Sequence, residues 1–286
     1  MAFVISAELI RSIYKPRPLD AKKYDYGHLL VVGGSVHYTG APQLVALAAM
    51  RAGCDLATIV APQRAADAAA GANPNLVTWP LDGDAISNRH LPKMRELVTH
   101  KTAMVIGNGA GREEGTFDAL LKIMKECTMP AVIDADAIRA LRKIDFEEMK
   151  GKPFVFTPHA GEFFALTGID PAMKPFEERI EIVKQAARTL GCVVVLKGNK
   201  DIISDGQEVA VNSTGTPFMT KGGTGDVLAG IIGALLARGA TPFIAAQAGC
   251  WISGKAGELA GALKGEGLLA TDVIDEIPHV LLDVLT

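Results

Sequence analysis

The stretch Gly222-Gly223-Thr224-Gly225-Asp226, running directly into Val227-Leu228-Ala229-Gly230-Ile231-Ile232-Gly233-Ala234-Leu235-Leu236, decides how the rest of the chain is read. Its apolar part carries no charge until Arg238, which predicts a buried helix with the glycines at its N-terminus. Glycine takes turns that a Cβ forbids and lets the backbone approach a ligand closely. Unpaired amides and the positive end of the helix dipole gather at the same point. Such a helix start suits a phosphate or a developing oxyanion. Asp226 is the anomaly, a carboxylate beside a cradle that attracts negative charge. It either complements the dipole, as first-turn acids often do, or serves as a general base next to a transferring phosphate.

Working outward, short β-branched runs alternate with amphipathic stretches. Strands are expected at Leu29–Val32, Ala57–Val60, Ala103–Ile106, Ala131–Ile133, Phe154–Phe156, Val193–Leu196 and Glu208–Val211. Helical patterns lie between them at Leu44–Arg51, Thr116–Glu126 and Glu177–Leu190. Beyond Val211 one long glycine-rich loop leads to helices at Gly225–Arg238 and Pro242–Leu263 and to a shorter terminal segment. This alternation predicts an α/β fold, a mainly parallel sheet covered by helices on both faces. No linker, charge block or internal repeat interrupts it, so residues 1–286 are expected to form a single domain.

Bulk properties narrow the function. Hydrophobic residues make up 49% of the chain, enough for a substantial core. The net charge of −3, with Lys and Arg scattered, leaves no footprint for nucleic acid or an anionic membrane surface. Cys54, Cys127, Cys192 and Cys250 are far apart and form no CxxC pair. That argues against a disulfide framework or structural zinc and fits a reducing cytoplasm. The N-terminus has no basic n-region, and no apolar run reaches spanning length.

Ligands of open α/β sheets bind outside the carboxyl ends of the strands. Here those ends carry Gly33-Gly34-Ser35 and Tyr38-Thr39-Gly40-Ala41-Pro42, then Gly107-Asn108-Gly109-Ala110-Gly111, Asp134-Ala135-Asp136, Thr157-Pro158-His159-Ala160-Gly161-Glu162 and Lys197-Gly198-Asn199-Lys200-Asp201. Together with Gly222–Asp226 they predict one rim holding a large polyphosphate or dinucleotide. The familiar fingerprints are absent. Arg112 stands where a GxGxxG motif needs its third glycine, and neither GxxxxGK[ST], GxSxG nor HExxH occurs.

These motifs resemble the ribokinase-like superfamily and, within it, the ADP/ATP-dependent NAD(P)H-hydrate dehydratases. The resemblance runs from about Gly27 to Asp272. It is carried by Gly27-His28-Leu29-Leu30-Val31-Val32-Gly33-Gly34-Ser35, Ile106-Gly107-Asn108-Gly109, Asp134-Ala135-Asp136-Ala137, Thr157–Glu162, Leu196-Lys197-Gly198, Gly222–Gly230 and Gly267-Leu268-Leu269-Ala270-Thr271-Asp272. Asn108 and Ala160 replace prolines of the family's pattern, and Ile138 departs from its leucine. These departures are expected to affect loop stiffness more than phosphate chemistry. The epimerase module often fused ahead of such domains is not expected here, because few residues precede Gly27.

The resemblance implies a metabolite-repair lyase. A nucleotide, with ADP expected to be better than ATP, phosphorylates the ring hydroxyl of S-hydrated NADH or NADPH, and loss of phosphate restores the ring double bond. Asp226 would be the general base, with Gly223 and Gly225 amides around the transferring phosphate. Both glycines also suit a tight helix entry. Lys197, Gly198, Asn199, Lys200 and Asp201, with Gly225, would form the adenine-nucleotide segment, although Lys200 also fits a solvated lysine. Ala41, Gly109, His159 and Asp226 would contact the hydrated cofactor, with Tyr38 near its ring. Glu162 would organise Mg²⁺ through water; equally it fits an ordinary first-turn glutamate, and His159 a capping residue. Asp134 and Asp136 suit either phosphate chemistry or helix capping and stay outside the catalytic set. A homo-oligomer and a separate NAD(P)H-hydrate epimerase are the expected partners. The competing functions are a kinase of a small hydroxylated vitamin precursor or sugar, and a silent nucleotide sensor.

Overall fold

Strands that are buried on both faces need helices on both faces, and the β-branched runs here meet that need. The computed structural model describes residues 2–141 and 145–286. The chain runs β1 (Ala2–Val4), α1 (Ala7–Ile13), β2 (His28–Val32), α2 (Ala41–Arg51), β3 (Leu56–Pro62), α3 (Gln63–Ala72), β4 (Val77–Leu81), α4 (Leu91–Leu97) and β5 (Ala103–Ile106). It continues through α5 (Glu114–Glu126), β6 (Ala131–Ile133), α6 (Asp136–Ala140), α7 (Phe146–Met149), β7 (Phe154–Phe156), α8 (Ala160–Thr167), α9 (Phe176–Leu190) and β8 (Val193–Leu196). β9 (Asp201–Ser204), β10 (Val209–Asn212), α10 (Thr224–Ala237), α11 (Pro242–Lys264) and α12 (Ala270–Leu285) complete it.

The strands form one 10-stranded sheet in the order β1-β10-β9-β8-β7-β6-β5-β2-β3-β4. Among the described strands only β9 runs antiparallel to its neighbours. One hydrophobic core lies between the sheet and α1–α3 with α10–α12, the other between the sheet and α4–α9. α10 packs closely on the first face: a Cβ at Gly233 would sit 2.5 Å from Val105 Cγ2 of the sheet. Among the described residues no helix is long and apolar enough to cross a membrane.

Two consequences position the site. β8, β7, β6, β5 and β2 are consecutive parallel neighbours, so the strand ends singled out in the sequence lie along one rim. From β2 the chain moves to β3 on one side and later returns to β5 on the other. That reversal is the topological switch point at which such sheets open a crevice.

The sequence did not reveal β1, β4 or β9. β1 is a three-residue edge strand. β4 is an exposed edge strand that contains Pro80, a residue the middle of a sheet excludes. β9 begins at Asp201, which read as the end of the nucleotide loop; a tight turn returns the chain here to form a β8–β9–β10 meander. The terminal helix, at 16 residues, is shorter than the 23-residue α11 as expected but longer than the 14-residue α10, and it carries Pro278 inside it.

Candidate active site

Gly223 caps the start of α10 with φ of 97°. A Cβ there would lie 2.7 Å from Leu44 Cδ1 and 2.9 Å from Ala270 Cβ, so both backbone and space demand glycine. The turn it makes places Thr224, Gly225 and Asp226 in the first three helical positions, where amides lack intrahelical partners. A Cβ on Gly225 would be 3.4 Å from Lys197 Nζ, so this glycine faces the ammonium directly. Cation, open amides and carboxylate thus share one spot.

Asp226 meets the ends of β5 and β6 through a bridge. The Asn108 side-chain amide donates to Asp226 Oδ1 at 2.7 Å and to Asp134 Oδ2 at 2.8 Å. Asp134 also accepts from Thr157 Oγ1 at 2.8 Å and Lys197 Nζ at 3.0 Å through its other oxygen. Burial pushes the Asp226 carboxyl up and the Asp134 charge adds to it; the Asn108 hydrogen bond and Lys197 pull it down, Asp136 raises it, and it comes to rest at about 7. Such a value suits a general base near neutral pH. For Lys197, burial alone would lower the ammonium, but the Asp134 and Glu162 carboxylates outweigh burial and hold it above its ordinary value.

The backbone around these groups is tightly constrained. Gly107 adopts φ of 115°, and a Cβ there would fall 2.1 Å from the Asp134 carbonyl oxygen. Ala135, between the two aspartates, has φ of 51° and ψ of −118°, a conformation that costs about 1–3 kcal/mol and gathers at functional sites. Asp136 accepts from Gly111 N at 2.9 Å and pairs with Arg112 at 3.3 Å.

The other candidate residues fall into distinct groups. Gly109 packs against Tyr38 and Ala41, since a Cβ on it would lie 2.8 Å and 3.0 Å from their Cβ atoms. His159 caps α8: its Nδ1 accepts from Gly161 N and Glu162 N, so Nε2 carries the proton and faces Glu162 Oε1 at 3.2 Å. Glu162 returns a bond by accepting from His159 N at 3.0 Å, and its Oε2 lies 3.9 Å from Lys197 Nζ. Gly198, Asn199 and Lys200 form an exposed turn, whereas Asp201 anchors it by accepting from Gly198 N at 3.1 Å. Lys200 extends over the Phe176 ring at 5.3 Å.

Three residues at the centre lay outside the expected catalytic set: Asn108, Asp134 and Thr157. Asn108, expected to affect mainly loop stiffness, places an amide between two carboxylates. An acid at a strand end was the available signal for Asp134; the alternative of helix capping obscured it. Among the described residues no group of three His, Cys, Asp or Glu is arranged to hold a metal ion. The donors present suit a hydrated Mg²⁺ that arrives with phosphates and touches few protein groups.

Comparison with known proteins matches residues 29–279 to the NAD(P)H-hydrate dehydratase family model. A bifunctional NAD(P)H-hydrate repair enzyme from Pyrobaculum aerophilum is 45% identical over 93% of this chain and 52% of its own length. An ADP-dependent (S)-NAD(P)H-hydrate dehydratase from Cenarchaeum symbiosum is 36% identical over 98% of this chain and 97% of its own. The crystal structure of the ADP/ATP-dependent NAD(P)H-hydrate dehydratase from Bacillus subtilis, co-crystallised with ATP and Mg²⁺, superposes with a TM-score of 0.82 at 27% identity, covering 99% of each chain. The chain spans about half the length of the bifunctional relatives it matches. The fold is ribokinase-like, and the chain belongs to the NAD(P)H-hydrate dehydratase family.

Proposed function

We propose that this member of the family returns S-hydrated NADH or NADPH to NAD(P)H at the expense of an adenine nucleotide, with ADP the preferred donor. The observation that carries the reading is a carboxyl poised at about 7 at the glycine-lined start of α10. Asp226 accepts the proton of the ring hydroxyl as its oxygen attacks the terminal phosphorus of the nucleotide. The bond from that phosphorus to the bridging oxygen breaks, and AMP leaves from ADP, or ADP from ATP. The phosphate ester is a far better leaving group than hydroxide. The ring nitrogen pushes phosphate off carbon, a proton leaves the neighbouring carbon, and the double bond re-forms.

The open amides of Thr224 and Gly225 and the Lys197 ammonium are arranged to stabilise charge that builds on the transferring phosphoryl group. Gly198, Asn199 and Lys200 would follow the nucleotide, with Asp201 shaping the turn from beneath. Ala41, Gly109 and Tyr38 would bound the nicotinamide side, where a larger residue would intrude. Glu162 would hold Mg²⁺ through water, and the ion when bound would neutralise the donor phosphates. The ADP preference draws support from the relative matched along nearly its whole length, which is named as ADP-dependent.

The experiment is incubation with chemically hydrated NADH, Mg²⁺ and either nucleotide, following near-ultraviolet absorbance and phosphate release. Recovery of reduced nicotinamide, faster with ADP, is expected. A preparation that binds nucleotide yet restores no absorbance with either donor refutes the dehydratase. A phosphate ester accumulating on a small alcohol would show a kinase instead.

A further inference from the structure

We infer that Asn108 is a positioning residue for the base: its amide clamps Asp226 through one carboxylate oxygen, ties it to Asp134, and leaves the second oxygen of Asp226 to receive the substrate proton. The inference rests on the proposed function only in naming that proton. The clamp itself belongs to any phosphoryl transfer at this site.

Two donor hydrogens meet two carboxylates here, at 2.7 and 2.8 Å. Asn108 is 1% exposed and its bond to Asp134 is buried, whereas its bond to Asp226 lies toward the open side of the site, where Asp226 is half-buried. The amide orientation is fixed by charge, because turning it over would set its oxygen against two carboxylates. Asn108 Oδ1 is buried without a hydrogen-bond partner, a cost that the charge-assisted bonds at the other end of the amide offset. A residue without a side-chain donor at this position could make neither contact.

The charged groups that face Asp226 show what the clamp does. Asp134 at the end of β6 and Asp136 on α6 raise its proton affinity, while Lys197 at the end of β8 lowers it. Lys197 Nζ is itself bound to Asp134 Oδ1 and lies 3.9 Å from Glu162 of α8. From α2 and α12, Leu44 and Ala270 close on the helix start at Gly223. β2 and β5 meet α10 further along, at Gly233, through Leu29 and Val105, and α11 meets it at Ile232. Asn108 is therefore the neutral group that sets Asp226 in direction and lowers its proton affinity, without the tight pairing a second lysine would impose.

The test is carboxyl-carbon NMR titration of Asp226 in the nucleotide-free protein, its signal identified by its loss in Asp226→Asn. It is combined with the pH profile of kcat/KM. In Asn108→Ala the Asp226 midpoint should rise by about one pH unit, and the acidic limb of the profile should move with it. Asn108→Ser, which retains one donor hydrogen, should fall between that variant and the wild type. An unchanged or lowered midpoint in Asn108→Ala overturns the inference, as does an unmoved limb. If the alanine variant does not fold, a midpoint equal to wild type in Asn108→Ser overturns it. The titration reads the clamp even in a protein that restores no NADH, so failure of the dehydratase reading shows separately.

Discussion

The two ends of α10 follow opposite electrostatic rules. At its C-terminus Arg238 caps the helix, donates to the Gly53 carbonyl at 2.8 Å, and lies 4.6 Å and 4.9 Å from the Tyr14 and Tyr26 rings. Arg17 beside it pairs with Asp55 at 2.9 Å, which also accepts from Tyr26 N. A cation at a helix C-terminus and an ion pair beside it are arrangements that stabilise a fold. At the N-terminus the favourable dipole is set against a buried carboxylate that has two other acids nearby, Asp134 and Asp136. The glycine turn and the strained Ala135 stand at the same end. At the C-terminal end the cation matches the helix dipole, although burial works against it and its Nε finds no partner among the described residues. At the N-terminal end burial and like charges act together on the group placed for chemistry.

Substitutions at each end sharpen this contrast. The largest effect is expected for Asp226→Asn, which keeps the shape but removes the basicity. Turnover should fall on the order of 10²–10⁴-fold with nucleotide affinity retained, read by steady-state kinetics and nucleotide titration. Near-normal turnover would make Asp226 a dipole partner. Lys197→Met comes next: it leaves Asp134 without its ammonium, and denaturant unfolding should show a loss of about 2–3 kcal/mol, moderated because Lys197 is partly open to solvent. Weakened nucleotide binding should accompany it. Arg238→Met should give the smallest change, about 1 kcal/mol in unfolding free energy with turnover within about twofold of wild type. A tenfold loss of turnover there would break the division between the two ends.

The sequence disclosed the central strands because they are buried on both faces and read as uninterrupted apolar runs, as Leu29–Val32 and Val193–Leu196 do. It hid the edges. β4 breaks its pattern with Pro80, and β9 follows the turn after Lys200 so closely that Asp201 passes for loop. Within the site, the glycine turn at Gly223 and the first-turn position of Asp226 were legible because a glycine run followed by a long apolar stretch marks a helix start. Asn108 was not, because its importance lies in contacts 26 and 118 residues away along the chain. Nor does Glu162 show in sequence that its carboxylate answers the His159 cap while standing beside Lys197.

The central claim is that Asp226 carries a charge the fold does not reward, and its stability as a function of pH tests this most directly. Its carboxyl binds a proton more tightly in the folded chain, at about 7, than in an unfolded one, near 3.8. Its stabilising contribution is therefore complete below the unfolded value and is lost as pH rises through the folded one. Unfolding free energies of the wild type and Asp226→Asn, measured in denaturant from pH 5 to pH 9, isolate the carboxyl and the charges coupled to it, because groups remote from it cancel. The variant should exceed the wild type at pH 9 by about 2 kcal/mol or more, with the gap level down to about pH 8 and shrinking as pH falls through 7 toward 5. A variant equal to or less stable than the wild type at pH 9 would mean that the carboxylate serves the helix dipole, and would contradict the account.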